Sequence, residues 1–255
     1  MNAQKYVIGN WKLNPSTHTH AQQLAAAMAD LQSDASVTVG CTPSFVHLSA
    51  VAAAMADTPI LVGAQDVCAY TQDVGAYTGD VSALQLVDVG ADFVIVGHSE
   101  RRSYYGEDNA LLADKIKQAL AADLTVIFCV GETQTQYTAK QTLAVLDEQL
   151  SALAGIAATD KLIVAYEPVW AIGTGLTPTV DEVTAVHQHI KARLNTDGWQ
   201  GISVLYGGSV NANNADEFAH AAAVDGALVG GASLKIDAFA QIVAAFAKAQ
   251  EAQKI

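Results

Sequence analysis

A closed barrel of eight parallel strands wrapped by helices, a (β/α)8 barrel, is the fold class this sequence predicts. Three observations predict it. Short apolar, β-branched runs recur eight times at a mean spacing of roughly 30 residues, each followed by a segment of helical periodicity. The runs are continuously apolar rather than alternating, as befits strands buried on both faces. Eight such units fill the 255 residues with no visible linker, which fits one barrel domain over 1–255. An open doubly wound sheet is the alternative. It usually shows a glycine fingerprint after its first strand, and here that turn reads Gly9-Asn10-Trp11-Lys12-Leu13-Asn14.

Strands are expected near 5–9, 37–41, 60–64, 92–97, 124–130, 162–167, 203–207 and 226–230. Between them, apolar residues fall on single helical stripes. These are Leu24/Met28/Leu31, Leu48/Val51/Met55, Leu112/Ile116/Ala119, Leu143/Leu146/Leu150/Leu153, Val183/Val186/Ile190/Leu194 and Phe239/Ile242/Val243/Phe246. Thr179 followed by Glu182 has the form of a capping box, so a helix is expected to begin there.

Composition narrows the function. The chain is 51% hydrophobic and 15% charged, with a mean hydropathy of +0.23, which suits a sizeable core and argues against disorder. No apolar run approaches the ~20 residues that span a bilayer, and the start of the chain lacks the apolar stretch of a signal peptide. Cys41, Cys68 and Cys129 have no metal-type or CxxC spacing and read as buried, reduced thiols of a cytoplasmic protein. A net charge of -13 and a pI near 4.7 make nucleic acid and anionic membranes poor partners. An anionic small molecule is compatible, because screening over about 8 Å leaves that choice to the local field of a pocket.

In such barrels the active site lies at the carboxyl ends of the strands. Asn10 and Lys12 follow the first strand, and Lys12 sits between Trp11 and Leu13. His98, Ser99 and Glu100 follow the fourth, in a sequence that looks like a helix start with Ser99 as its cap. A helix N-terminus disfavours a cationic imidazole, which suits His98 as a neutral donor. A lone histidine there is also compatible with a structural role. Glu132 follows the fifth strand and Glu167 the sixth. A carboxylate capping an apolar strand is either a paired structural ion or a base whose pKa burial can raise. Gly207-Gly208-Ser209 and Gly230-Gly231 follow the last two strands, where a phosphate site is frequently built from amides at helix starts. His18/His20 and His187/His189 are i,i+2 pairs that do not face each other on a helix, and His47 and His220 also fall on helical patterns, so no metal site is expected. No P-loop, GxGxxG or GxSxG is present, which argues against a nucleotide cofactor. A base, a carbonyl-polarising pair and a phosphate corner together suit proton abstraction beside the carbonyl of a small phosphorylated sugar.

The stretches "GNWKLN", "VGHSERR", "CVGE", "AYEPVWAIGTG", "YGGSV" and "DGALVGGAS" resemble the triosephosphate isomerases, in the same order over essentially the whole chain. The resemblance implies a TIM barrel that interconverts dihydroxyacetone phosphate and glyceraldehyde 3-phosphate without cofactor or metal. It implies Glu167 as base, His98 as electrophile, Lys12 and Asn10 at the enediolate and phosphate, and Glu100 paired with Lys12. Amides of Gly173, Ser209, Gly230 and Gly231 would hold phosphate. The loop after Glu167 would be a lid. Pro168, Val169 and Trp170 would be its first hinge, Ala171, Ile172, Gly173, Thr174 and Gly175 its tip, and Leu176, Thr177 and Pro178 its second hinge. Ser209 would latch the closed lid at Gly175. The sequence departs from the family pattern where Lys and Ala are common near Leu176 and Pro178. Pro178 has no N–H, so a latch from the Tyr206 hydroxyl cannot form there. Asp66 stands where Asn is common. The long loop 68–80, with Gly75, Tyr77, Thr78 and Gly79, would insert into a neighbouring subunit, which implies a homodimer.

Three rivals share the fold. Glu100 and Glu167 could serve a glycosidase, though a lid and a phosphate corner have no purpose there. Lys12 could form a Schiff base in an aldolase. A binding scaffold that has given up catalysis would not need Lys12, His98 and Glu167 together.

Overall fold

The computed structural model describes residues 4–31, 36–172 and 176–252. Eight parallel strands close on themselves in sequence order. They are β1 (Lys5–Asn10), β2 (Val37–Thr42), β3 (Leu61–Ala64), β4 (Phe93–Val96), β5 (Thr125–Val130), β6 (Leu162–Tyr166), β7 (Ser203–Tyr206) and β8 (Gly226–Val229). Each lies within about a residue of its expected bounds, because boundaries follow the end of the apolar run. Closure is made by β1 against β8, with Tyr6 opposite Gly226 and Gly9 opposite Val229.

The helices among the described residues are α1 (His18–Ala29), α2 (Phe45–Met55), α3 (Ala83–Asp88), α4 (Ser99–Tyr105), α5 (Asn109–Ala121), α6 (Gln134–Thr138), α7 (Thr142–Leu150), α8 (Val180–Thr196), α9 (Ala215–His220) and α10 (Ile236–Ala252). The expected stripes are largely the buried ones: Leu112, Ile116 and Ala119 of α5, and Val183, Ile190 and Leu194 of α8. Leu143 departs from its stripe and is exposed. Leu153 is buried in a 3-10 turn beyond the end of α7. Thr179 and Glu182 form the expected capping box of α8.

The core has two layers, as period-two alternation demands of a closed sheet. Inside the barrel lie Ile8, Phe93, Ile95, Ile127, Cys129, Ile163, Ala165, Leu205 and Leu228. Their strand neighbours, such as Val7, Val94, Val126, Val164, Val204 and Ala227, face outward and pack under the helices. Gly63 lets the Phe93 ring fill the interior, since a Cβ there would stand 2.3 Å from it. The three cysteines are free and buried. No helix among the described residues is long and apolar enough to cross a membrane.

Candidate active site

Strand parity decides which side chains reach the mouth of the barrel. Ile163 and Ala165 point inward, and Glu167 continues that parity one step past β6. Its amide donates to the Val130 carbonyl at 2.8 Å, so the sheet ladder carries it. It is 2% exposed. Gly207 leaves it room, because a Cβ there would lie 2.8 Å from the Glu167 Cγ.

One Glu167 oxygen accepts the Ser99 amide at 3.0 Å. The other lies 3.1 Å from Nε2 of His98. Nδ1 of His98 accepts the Glu100 amide at 3.1 Å, so the ring carries its proton on Nε2 and donates it to Glu167. This corrects one expectation. His98, not Ser99, caps α4, and Ser99 is the first helical residue. The imidazole nitrogen fills the acceptor position of a cap, which leaves the Ser99 amide, an unpaired donor of the first turn, for the carboxylate.

The pair shifts both pKa values. Burial works to raise that of Glu167, but the charge and hydrogen bond of His98, the Ser99 amide and Lys12 prevail and hold it below the usual value. Burial works to lower that of His98, but the Glu167 carboxylate prevails and raises it. Of the two readings that the sequence leaves open, the paired carboxylate describes this arrangement: desolvation is present, and hydrogen bonding to the charged form outweighs it.

Lys12 adopts φ 52°, a left-handed conformation that costs a non-glycine residue about 1 kcal/mol or more. Neighbours hold it there. Oδ1 of Asn10 accepts the Lys12 amide at 3.0 Å, and Nε2 of Gln65 donates to the carbonyls of Lys12 and Thr42, both at 2.8 Å. Nζ of Lys12 meets Oε1 of Glu100 at 2.6 Å. Gln65 was not foreseen from sequence, because nothing marks a glutamine after β3 as a support for the β1 turn. Arg102 is a second unforeseen support: its Nε donates to the Gly97 carbonyl at 3.0 Å, just before His98.

Asn10, Lys12, His98, Glu167, Ile172, Ser209, Gly230 and Gly231 line one cavity of about 450 Å³. Glu100 lies to its side, lining an adjoining cavity with Lys12, Tyr104 and Tyr105. Gly230-Gly231 opens a 3-10 turn, Gly231–Leu234, as a helix start should. The Gly207-Gly208-Ser209 turn does not open a helix, because α9 begins only at Ala215. Gly173, Thr174 and Gly175 lie outside the described residues.

After Pro168, Val169–Ala171 forms a 3-10 turn. Glu132 fastens this turn to the barrel. Its carbonyl accepts the Val169 amide at 3.0 Å, and its Oε1 accepts Trp170 Nε1 at 2.9 Å and the Tyr166 hydroxyl at 3.2 Å. Burial raises the Glu132 pKa, and those bonds oppose the rise. The Ser209 hydroxyl donates to the Ala171 carbonyl at 2.5 Å. Leu176 and Thr177 are exposed and Pro178 is buried. The Tyr206 hydroxyl is buried with no hydrogen-bond partner among the described residues. That agrees with Pro178 offering no donor.

A carboxylate and a proton-bearing imidazole at the mouth of a barrel, beside an ammonium, belong to enzymes that move protons on small anionic carbonyl compounds. Comparison with known proteins narrows this class. The family model described as triosephosphate isomerase matches residues 5–246, and the chain belongs to that family. It is 50% identical to the triosephosphate isomerase of Psychrobacter arcticus, over 96% of this chain and 98% of that one. Identity to the protein of the same name from Psychrobacter cryohalolentis is 49%, over 96% and 99% of the two chains. For Photorhabdus laumondii it is 43%, over 96% and 98%.

Proposed function

We infer that the site interconverts dihydroxyacetone phosphate and D-glyceraldehyde 3-phosphate, as in glycolysis and gluconeogenesis. One observation carries the reading: Glu167 and His98 engage each other in the same cavity that the glycine turns line. Both substrates are anionic carbonyl compounds, and the reaction moves one proton between neighbouring carbons. No electron carrier is required.

The Glu167 carboxylate removes the proton from the carbon beside the carbonyl. His98 donates a hydrogen bond from Nε2 to the carbonyl oxygen, and Lys12 and Asn10 stabilise the charge that develops on the cis-enediolate. Glu167 then returns the proton to the adjacent carbon, while His98 gives its Nε2 proton to the forming oxyanion and takes back the proton of the neighbouring hydroxyl, so that the carbonyl moves to the other carbon. Glu100 positions Lys12. Amides of Gly173, Ser209, Gly230 and Gly231 bind the phosphate. The bonds to His98 and Ser99 describe a resting base, which substrate must draw away. Once Glu167 turns to substrate carbon, the main influence raising the His98 pKa is gone. Burial and the α4 N-terminus then favour a neutral ring, which is the better donor to a forming oxyanion.

The loop 168–178 acts as a lid, with Trp170 in its first hinge and Pro178 in its second. Ile172 lines the cavity, and an apolar side chain over the intermediate excludes water and protects it from losing phosphate.

The functional unit is a cytoplasmic homodimer. Exposed Leu13, Phe45, Val46, Tyr70, Val74, Tyr77, Leu84, Val87, Tyr104 and Tyr105 all come from segments after β1 to β4. So much apolar surface on one side of a barrel marks an interface. The Tyr70 and Tyr77 rings stack at 4.9 Å within the 68–80 loop, which supports a shaped, inserting segment with Thr78 near its tip. A cavity of about 340 Å³ lined by Tyr70, Arg101, Tyr105 and Lys115 suits an inserting loop.

The test is isomerisation of glyceraldehyde 3-phosphate coupled to a reporter dehydrogenase. Glu167→Gln should lower kcat by about 10²–10⁴, the usual contribution of a positioned base. A folded wild type without turnover would leave the site a binding site only.

A further inference from the structure

Tyr137 touches Trp170, near the start of the 168–178 loop, and Glu182, in the first turn of the helix that follows it, and nothing in the reaction described above uses it. It stands on α6, the short helix after β5. Its ring stacks on Trp170, with centroids 4.3 Å apart and planes 28° from parallel. Its hydroxyl donates to Oε1 of Glu182 at 3.0 Å. The other Glu182 oxygen accepts both the Thr179 amide and the Thr179 hydroxyl, each at 2.8 Å. Thr179 is the cap of α8 and follows Pro178 directly. One side chain therefore meets the first hinge by stacking and, through the shared carboxylate, the α8 cap that directly follows the second.

Geometry decides what this does. Trp170 already donates to Glu132, so its indole is held at the edge by a hydrogen bond and over its face by Tyr137. A displacement of Trp170 that exchanges these partners must give up the stack. Thr179 and Glu182 belong to the first turn of α8, which the capping box keeps fixed. The α6 attachment thus links a movable hinge to a fixed one. The hydrogen bond to Glu182 raises the Tyr137 pKa, and that bond in turn helps keep Glu182 ionised.

We propose that Tyr137 is a positioning residue for the isomerisation, tying the first hinge, at Trp170, to the α8 cap that follows the second, and so setting how much of the time Trp170 keeps the place seen here. The proposal rests on the lid reading given above. Removing the ring takes away the stack, leaves Trp170 its bond to Glu132, and so changes how firmly Trp170 is held. A stacked aromatic pair is worth about a two- to tenfold change in an equilibrium constant. Tyr137→Ala should therefore change the affinity for glycerol 3-phosphate, which has the substrate's phosphate and no carbonyl, by about two- to tenfold. Tyr137→Phe, which keeps the stack and loses only the bond to Glu182, should lie close to wild type.

The experiment uses the full chain labelled with 5-fluorotryptophan, with the Trp170 resonance assigned by its loss in Trp170→Phe. Fluorine exchange rates, glycerol 3-phosphate affinity and kcat and KM are measured for wild type, Tyr137→Ala and Tyr137→Phe, and melting confirms that each is folded. A changed analogue affinity, an altered Trp170 exchange rate and unequal changes in kcat and kcat/KM, all recovered by Phe, would support the proposal. Unchanged exchange and affinity in Tyr137→Ala, with a wild-type resonance that responds to the analogue, would overturn it and leave the lid reading intact. A wild-type resonance that ignores the analogue would overturn the lid reading itself, and this proposal with it.

Discussion

Asp66 and His187 are ionisable groups outside the reaction, and each titrates away from its ordinary value. Asp66 joins Arg101, Glu107 and Lys115 in a closed ring of four charges, with Arg101 2.8 Å and Lys115 2.6 Å from its two oxygens. Burial raises its pKa more than the two cations lower it. A carboxyl raised on folding contributes stability below its unfolded pKa and loses it as pH rises through the folded value. Asp66→Asn should therefore hold or raise stability at pH 7 in urea titration. A loss of about 3 kcal/mol, the cost of breaking a well-made buried pair, would show that Coulomb attraction prevails instead. His187 is fully buried, and burial lowers its pKa to about 3. It folds neutral and takes up its proton only on unfolding. Stability should fall as pH drops below about 6.5, by at most about 1.4 kcal/mol per unit, until pH approaches 3. His187→Gln should show a shallower slope between pH 6 and 4. An unchanged slope would mean that the imidazole ionises within the folded protein.

Hinges are the point at which single elements matter. The second hinge ends in Pro178, whose ring fixes φ and disfavours helical geometry at Thr177. The Tyr206 hydroxyl is buried with no hydrogen-bond partner among the described residues, and Pro178 has no amide to offer it. Pro178→Ala restores an amide, and with it a latch for the closed loop. Relaxation NMR should then show slower reopening, and identical opening and closing rates would remove Pro178 from the mechanism. The capping box of α8 was legible from Thr179 and Glu182 alone, because both partners lie within four residues. The cap of α4 was misread, because either His98 or Ser99 can accept an amide, and local sequence does not say which one the fold has already assigned.

For the molecule as a whole, ten of the twelve exposed large hydrophobic side chains among the described residues come from segments after β1 to β4, the part that carries the 68–80 loop; Leu143 and Leu176 are the exceptions. Light scattering at micromolar concentration should give twice the chain mass of 26.6 kDa. A mass equal to one chain would remove the homodimer and leave the tyrosines of that loop unexplained. A partner loop would also cover the cavity that holds Asp66 and Lys115, so the Asp66 measurement belongs at a protein concentration where the oligomer is known.

The sequence by itself determined the eight strands, most helical faces and the strand ends that carry Lys12, His98 and Glu167. Those follow from periodicity and from the rule that strand ends carry the site, and both are local or nearly so. Only the tertiary structure decided that Glu167 rests on the Ser99 amide, that Gln65 holds the Lys12 turn, and that Glu132 and Tyr137 hold Trp170. Each of those contacts joins segments brought together by closure of the barrel, 33 to 68 residues apart in the chain. The lowered pKa of Glu167 was undecidable from sequence for the same reason: burial and hydrogen bonding push in opposite directions, and only the placement of His98 and the α4 amide shows which prevails.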